Sequence, residues 1–231
     1  MELLTRSELM ANTRFPFAQL EGMDLSGADV SGIDLFGAQM SQCMMDGAVM
    51  ADADCSQADL SWSSMVKANL YRALLMDADM QGVDLSEAYL QTAMVMGARL
   101  SWARLQGAHL AGACLSHANL QHAVLDDANL MGVNLREALL DDACLLRSNL
   151  YGVNLHRASL VRARLCRANL SFANLMNADL SFADLSEANL SNAIIRDARL
   201  YEARLSVSSL EGLLLTPRER EWLEGSGVHL L

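Results

Sequence analysis

Carboxylates are the most numerous side chains in this sequence that can do chemistry, and they are unevenly placed. There are 28 Asp and Glu against 17 Lys and Arg, a formal net charge of −11. Between Phe15 and Ala98 stand 12 acids against only Lys67 and Arg72. Eight of them, Asp24, Asp29, Asp34, Asp54, Asp59, Asp79, Asp84 and Glu87, are candidates for contacting a basic partner. The sign reverses between Ala143 and Leu175, where Arg147, Arg157, Arg162, Arg164 and Arg167 meet no acid in sequence, a belt suited to an acidic partner surface. Nucleic acid is a poor direct ligand for the whole, because a phosphate backbone needs Lys and Arg to displace its counterions.

Catalysis and metal binding find no pattern to carry them. No GxGxxG, P-loop, GxSxG or HExxH string occurs. The five cysteines, Cys43, Cys55, Cys114, Cys144 and Cys166, are odd in number and form no CxxC pair, which fits reduced thiols rather than a disulfide framework or a zinc site. The reading is a non-enzyme without a cofactor. No run of 18 apolar residues and no basic stretch followed by an apolar one is present, so neither a membrane span nor a signal peptide is expected and a cytoplasmic location follows.

What must position the charged residues is a period of five. From Phe15 to Leu210 every residue whose number is a multiple of five is apolar, and 30 of these 40 are Leu. Two residues before each stands a small residue, Ala in 30 of 40 cases, as in Ala158-Ser159-Leu160 and Ala178-Asp179-Leu180. The position between them is rich in Asp and Asn. A helix repeats its apolar face every 3.6 residues and a strand every 2, so neither makes this pattern. It resembles the pentapeptide-repeat family, whose consensus is A-(D/N)-L-x-x. That resemblance implies an all-β fold, a right-handed quadrilateral β-helix in which four pentads make one coil. Forty pentads then give about ten coils, a rod on the order of 48 Å long at ~4.8 Å per coil.

In that register residues 20 apart stack on one face, and the residue before each central one and the two after it point outward. His109, His117 and His122 fall on three different faces and His156 lies two coils further on, so the histidines form no ligand cluster. The acids between Phe15 and Ala98 recur about every 1.7 Å of axis, close to the charge density of duplex DNA. Leu74, Met76, Met94 and Met96 occupy outward positions on one face in adjacent coils, an apolar contact patch. Met23, Ile33, Val83, Val133 and Val153 replace Ala at the small site and are expected to swell the rod locally.

The ends close the repeat. Residues 1–12 read as an N-terminal cap with a short helix over 6–11, residues 13–212 as the repeat, and residues 213–231 as a C-terminal cap with a helix over 217–224 set by Thr216-Pro217-Arg218-Glu219. Leu213, Leu215, Trp222, Leu223, Val228, Leu230 and Leu231 make the tail apolar enough for an end-to-end homodimer interface. The tail, Leu210-Glu211-Gly212-Leu213-Leu214-Leu215 followed by Leu223-Glu224 and Gly227-Val228-His229-Leu230, is similar to the closing segment of quinolone-resistance (Qnr-type) pentapeptide proteins. That resemblance implies a dimeric, DNA-mimicking rod that binds DNA gyrase or topoisomerase IV. An interaction scaffold or secretion-associated adaptor, working through the apolar patch and the arginines, is the other reading.

Overall fold

Burial in the computed structural model, which describes residues 6–206, 213 and 229–230, follows the five-residue period without a break. From Leu20 to Leu205 every central residue is buried, and from Ala18 to Ala203 so is every small-site residue except Met23, which is half-buried. The interior is therefore one continuous column of Leu and Ala, with methionines at 40, 45, 50, 65 and 80. A fully buried Leu side chain stabilises by roughly 1.5–3 kcal/mol, so the repeat itself supplies the driving force for folding.

The backbone closes a flat-sided coil every 20 residues. Parallel bridges run from Arg14↔Asp34 to Asp179↔Arg199, each joining a residue to the one 20 positions on. Four faces result. Face I is centred on residues 20, 40 and 60, face II on 25, 45 and 65, face III on 30, 50 and 70, and face IV on 35, 55 and 75. Strands β1 (Asp184–Leu185) and β2 (Arg204–Leu205) continue face II, and β3 (His229–Leu230) pairs parallel to β2 with Arg204↔His229 and Leu205↔Leu230. The tail thus returns to the ladder 25 residues later rather than 20. A six-residue helix, α1 (Arg6–Ala11), precedes the first coil, with Leu9 buried in the core.

One pentad shows how the backbone is satisfied. Leu155 N–H donates to Asn174 O at 2.8 Å, Arg157 N–H to Met176 O at 3.0 Å and Ser159 N–H to Ala138 O at 3.0 Å, all between coils. Ala158 N–H closes the corner on Leu155 O at 3.0 Å. Only the N–H directly after the central residue is left over, and the Asp or Asn before that residue takes it. Ser61 N–H donates to Asp59 Oδ1 at 3.0 Å, Ser186 N–H to Asp184 Oδ1 at 3.0 Å and Met176 N–H to Asn174 Oδ1 at 3.2 Å. This is an Asx turn, and it is the physical reason for Asp and Asn in the consensus.

Bulk at the small site does not stretch the ladder. Beside Ile33, Val83, Val133 and Val153 the bonds between coils stay at 2.8–3.0 Å, so the expected swelling does not reach the spacing along the axis. Ile33, Val83, Val133 and Val153 are all buried, so their added bulk is accommodated within the column.

Each corner places its second residue at positive φ, between 55° and 70°. Most coils put an ordinary side chain there and accept the strain, while 11 of the corners among the described residues use Gly. Gly82 has a further reason: an added Cβ would stand 2.3 Å from the indole of Trp62 below it, whereas at Gly132 nothing lies within 4 Å. Gly132→Ala is expected to cost about 1 kcal/mol, the ordinary price of a left-handed alanine. Gly82→Ala should cost more and also shift tryptophan emission as Trp62 is displaced. Urea denaturation followed by fluorescence reads both effects.

Candidate interaction surface

The outward residues repeat so regularly that the site is a matter of which side chains share a face and what each holds. Of the eight singled-out acids, Asp59 and Asp79 are adjacent rungs of face I, and Asp34 and Asp54 adjacent rungs of face IV. Asp24, Asp84 and the corner residue Glu87 belong to face II, with Met44 and Ser64 between the two aspartates, while Asp29 belongs to face III. The acids therefore surround the rod rather than line one groove.

Half of them are neutralised. Asp34 pairs with Arg14 at 3.3 Å, Asp79 with Arg99 at 3.0 Å, Asp84 with Arg104 at 3.5 Å and Glu87 with Lys67 at 3.4 Å. Each partner stands 20 residues away because that is one coil spacing, ~4.8 Å, which an Arg or Lys spans easily. Asp29, Asp54 and Asp59 have no cation at ion-pair distance among the described residues and hold the turn N–H of Ser31, Ser56 and Ser61. Asp24 holds that of Ser26. Hydrogen bonds from the Ser31 hydroxyl and N–H keep the Asp29 carboxyl below its ordinary value.

Four of the five belt arginines, all but Arg164, are paired by the same geometry. Arg147 reaches Asp127 at 2.6 Å, Arg162 reaches Asp142 at 2.7 Å, Arg167 reaches Glu187 at 2.9 Å and Arg157 reaches Glu137 at 3.8 Å. The Arg147 and Arg162 guanidiniums hold Asp127 and Asp142 below the usual carboxylate range. Exposed pairs of this kind contribute at most about 1 kcal/mol each to stability. Their larger effect is on the surface field: the stretch read as a basic belt presents paired charges to a partner. Net acidity is left in the first third, where residues 14–60 hold eight acids and one cation, Arg14, and where only Asp52 meets a cation from beyond that stretch, Arg72 at 3.0 Å.

The apolar patch is brought together. Leu74 and Met94 are bridged rungs of face IV, Met76 and Met96 follow them one coil apart, and all four are half-exposed. A shallow groove beside them is lined by Asp52, Arg72, Leu74, Thr92 and Met94. Of the tail residues, Leu213 is buried in the core of its own chain and Leu230 stands at the end of the face II ladder. Leu215, Trp222, Leu223, Val228, Leu231 and the expected helix over 217–224 lie outside the described residues.

Two features were missed. Two of the histidines are ring partners: His109 stacks on Tyr89 with centroids 4.9 Å apart, and His122 on Trp102 at 4.1 Å. Face III, from Tyr89 to Asn192, carries outward Tyr, Asn, Ser, Gly and Met but no Asp, Glu, Lys or Arg. Applying the 20-residue register to uncharged residues, as was done for acids, would have found it.

Chemistry beyond contact has little to work with. Among the described residues no group of three or more His, Cys, Asp and Glu is placed to hold a metal ion, and no helix is long and apolar enough to cross a membrane. Burial pushes the Cys55 thiol up to about 12. Burial and the neighbouring Asp126 carboxylate push Cys144 up to about 11, so neither thiol forms a thiolate nucleophile near neutrality.

Comparison with known proteins agrees with this geometry. A family model described as pentapeptide repeats matches in 8 copies, over residues 13–51, 53–91, 98–136, 134–171 and 173–212. No curated protein matches the chain. Among solved structures, HetL, a pentapeptide repeat protein involved in heterocyst differentiation regulation in the cyanobacterium Nostoc sp. strain PCC 7120, is 32% identical, with 82% of this chain and 88% of that one covered and a TM-score of 0.47. A trypsin-treated variant of QnrB1, a plasmid-mediated fluoroquinolone resistance protein, is 18% identical over 95% of this chain and 92% of its own, with a TM-score of 0.50. A pentapeptide repeat protein of the Arabidopsis thaliana thylakoid lumen is 23% identical over 57% of this chain and 77% of its own, with a TM-score of 0.24.

Proposed function

The chain belongs to the pentapeptide-repeat family, whose members form right-handed quadrilateral β-helices, and we propose that it is a non-catalytic rod that binds a type II topoisomerase, DNA gyrase, in place of DNA and alters the enzyme's response to inhibitors. The observation that carries this reading is the acidity of the first third. With Asp34 paired to Arg14 and Asp52 to Arg72 of the next coil, six net charges are left over residues 14–60. That is about one per 1.9 Å of axis at ~4.8 Å per coil, against about one per 1.7 Å in duplex DNA.

Pairing within the arginine stretch supports the same reading, because no free basic band opposes approach to a DNA-binding groove. In this proposal the C-terminal segment, including Trp222, Leu223 and Val228, joins two rods end to end, and the protein works in the cytoplasm beside its partner. A second reading, an interaction scaffold, is favoured by the half-exposed Leu74, Met76, Met94 and Met96, since flexible methionines adapt to a partner without needing charge.

DNA supercoiling by purified gyrase, with and without the protein and with and without a quinolone, tests the proposal. Micromolar protein is expected either to slow supercoiling or to restore it in the presence of the drug. Supercoiling and drug-stabilised cleavage that both ignore the protein would reject the topoisomerase and leave the scaffold.

A further inference from the structure

Face III differs from the other three in having lost its charge. Along six successive rungs, Tyr89, His109, Asn129, Asn149, Asn169 and Asn189, its outward residues include no Asp, Glu, Lys or Arg. Over the same coils face I carries Arg99, Asp142 and Arg162, face II Arg104, Asp127 and Arg147, and face IV Arg136, Glu137 and Arg157. Solubility alone would spread charge over all four.

In place of charge stand aromatic rings and carboxamides. Three of the chain's four tyrosines, Tyr71, Tyr89 and Tyr151, are on this face and are 43–45% exposed. Tyr151 lies against the exposed Phe172 with centroids 5.2 Å apart, and Tyr89 stacks on His109. Beginning one rung beyond His109 and running alongside the Tyr151–Phe172 pair is an amide ladder: Asn149 Nδ2 donates to Asn129 Oδ1 at 3.2 Å and Asn169 Nδ2 to Asn149 Oδ1 at 3.3 Å. Each of these oxygens also accepts a turn N–H, so the acceptors are used. Each carboxamide nitrogen has two N–H groups and spends only one on the ladder, which leaves a donor per rung for a ligand. Just before the uncharged rungs Lys67, Asn69, Tyr71, Tyr89 and Gln91 line a shallow groove, where Lys67 is paired with Glu87 and Arg72, next to Tyr71, with Asp52.

Area and charge together limit the occupant. Six rungs at ~4.8 Å and three outward residues per rung make a strip of roughly 29 by 10 Å, about 300 Å². A stable protein interface takes about 800 Å² from each partner, so a second copy of this chain is too large a partner for this strip. A nucleic acid would find no cation here, and any charged ligand would lose hydration without gaining a counter-charge. What suits a narrow, neutral strip of exposed rings and amide donors is a ligand that is itself narrow and neutral, with apolar C–H faces and many hydroxyl acceptors.

We propose that face III binds an extended neutral oligosaccharide, with Tyr89 and the Tyr151–Phe172 pair stacking on sugar rings and Asn129, Asn149 and Asn169 donating to hydroxyls. The coil spacing is close to the length of one pyranose unit in an extended chain, so successive sugars meet equivalent rungs. Stacking supplies most of the affinity, because aromatic side chains combine large apolar faces with a polar edge. This site is independent of topoisomerase binding.

Titration calorimetry with cellohexaose, laminarihexaose, maltohexaose and xylohexaose, with hexagalacturonate as the acidic control, tests the assignment. At least one neutral hexasaccharide is expected to bind, indifferent to salt, while hexagalacturonate does not. Tyr89→Ala and Tyr151→Ala should each weaken binding about ten-fold or more with an unchanged melting curve. Trp102→Ala, an exposed ring on charged face I, should leave it intact. The proposal is overturned if none of the four neutral ligands binds at millimolar concentration, or if the tyrosine variants bind as well as the parent. It is equally overturned if light scattering finds a dimer that Tyr151→Ala dissolves, which would make the face a self-interface.

Discussion

Leu120→Asp is expected to break the rod in its middle. Leu120 is wholly buried in a column made mostly of Leu and Ala, no cation is buried there among the described residues, and the buried hydroxyls of Ser63 and Ser148 already donate to Met40 O and Leu145 O. An unpaired charge in such a place costs several kcal/mol even when it takes up a proton to escape ionisation. Domains are typically stable by only 5–15 kcal/mol, so this is a large part of the whole. Because each coil of a solenoid touches only its neighbours, the damage should be local at first and then divide the rod into two segments that melt separately. Circular dichroism should show the single unfolding transition of the parent replaced by two, or by no folded baseline, and limited proteolysis should cut near residue 120. Leu120→Met is the control: methionine fills the equivalent position at 40, 45, 50, 65 and 80 with no exposure, so the swap is expected to cost less than about 1.5 kcal/mol. A Leu120→Asp variant that melts like the parent would mean that the column is not the source of stability.

The difference between what was legible and what was not follows from the range of the interactions. Burial of Leu120 and Ala118 depends on one local period, and that period is written in the chain without interruption, so the inside and outside of the rod could be assigned from sequence. The role of Asp59 was half visible. Its type and position marked it as a repeat feature, but the reason, an N–H on Ser61 that the ladder leaves over, needs the backbone bonds themselves.

Charge was misread for a different reason. Counting along the chain from Ala143 to Leu175 gathers five arginines and no acid, yet four of them meet acids that stand 20 residues before or after, outside that window. The register needed to find those pairs was already in hand. A window along the sequence cuts across a solenoid's faces, whereas partners lie along them. The same habit hid face III, whose distinguishing property is what its rungs lack. The tail was read from resemblance, and most of its residues lie outside those described.

The acidic third carries the second large effect. Glu21, Asp29, Asp54 and Asp59 have no cation at ion-pair distance among the described residues, in contrast to Asp34, Asp79, Asp84 and Glu87. Glu21→Gln with Asp29→Asn, Asp54→Asn and Asp59→Asn removes four charges while leaving a carboxamide oxygen to accept each turn N–H. The variant should therefore keep its fold and melting temperature. A matching change at Asp34, Asp79, Asp84 and Glu87 gives the same net charge but leaves Arg14, Arg99, Arg104 and Lys67 unpaired, so the two variants separate the overall field from the contacts of particular acids.

Association of the parent and the Glu21, Asp29, Asp54 and Asp59 variant with immobilised gyrase, measured by surface plasmon resonance at low and physiological salt, tests the proposed function most directly. Electrostatic steering acts on the association rate and is screened over about 8–10 Å at physiological ionic strength. The parent is expected to associate about ten-fold faster or more at low salt, and the variant to lose most of that advantage with little change in dissociation. Equal association rates for the two proteins, or binding that ignores salt, would contradict the account and assign the acids to solubility and turn-capping alone.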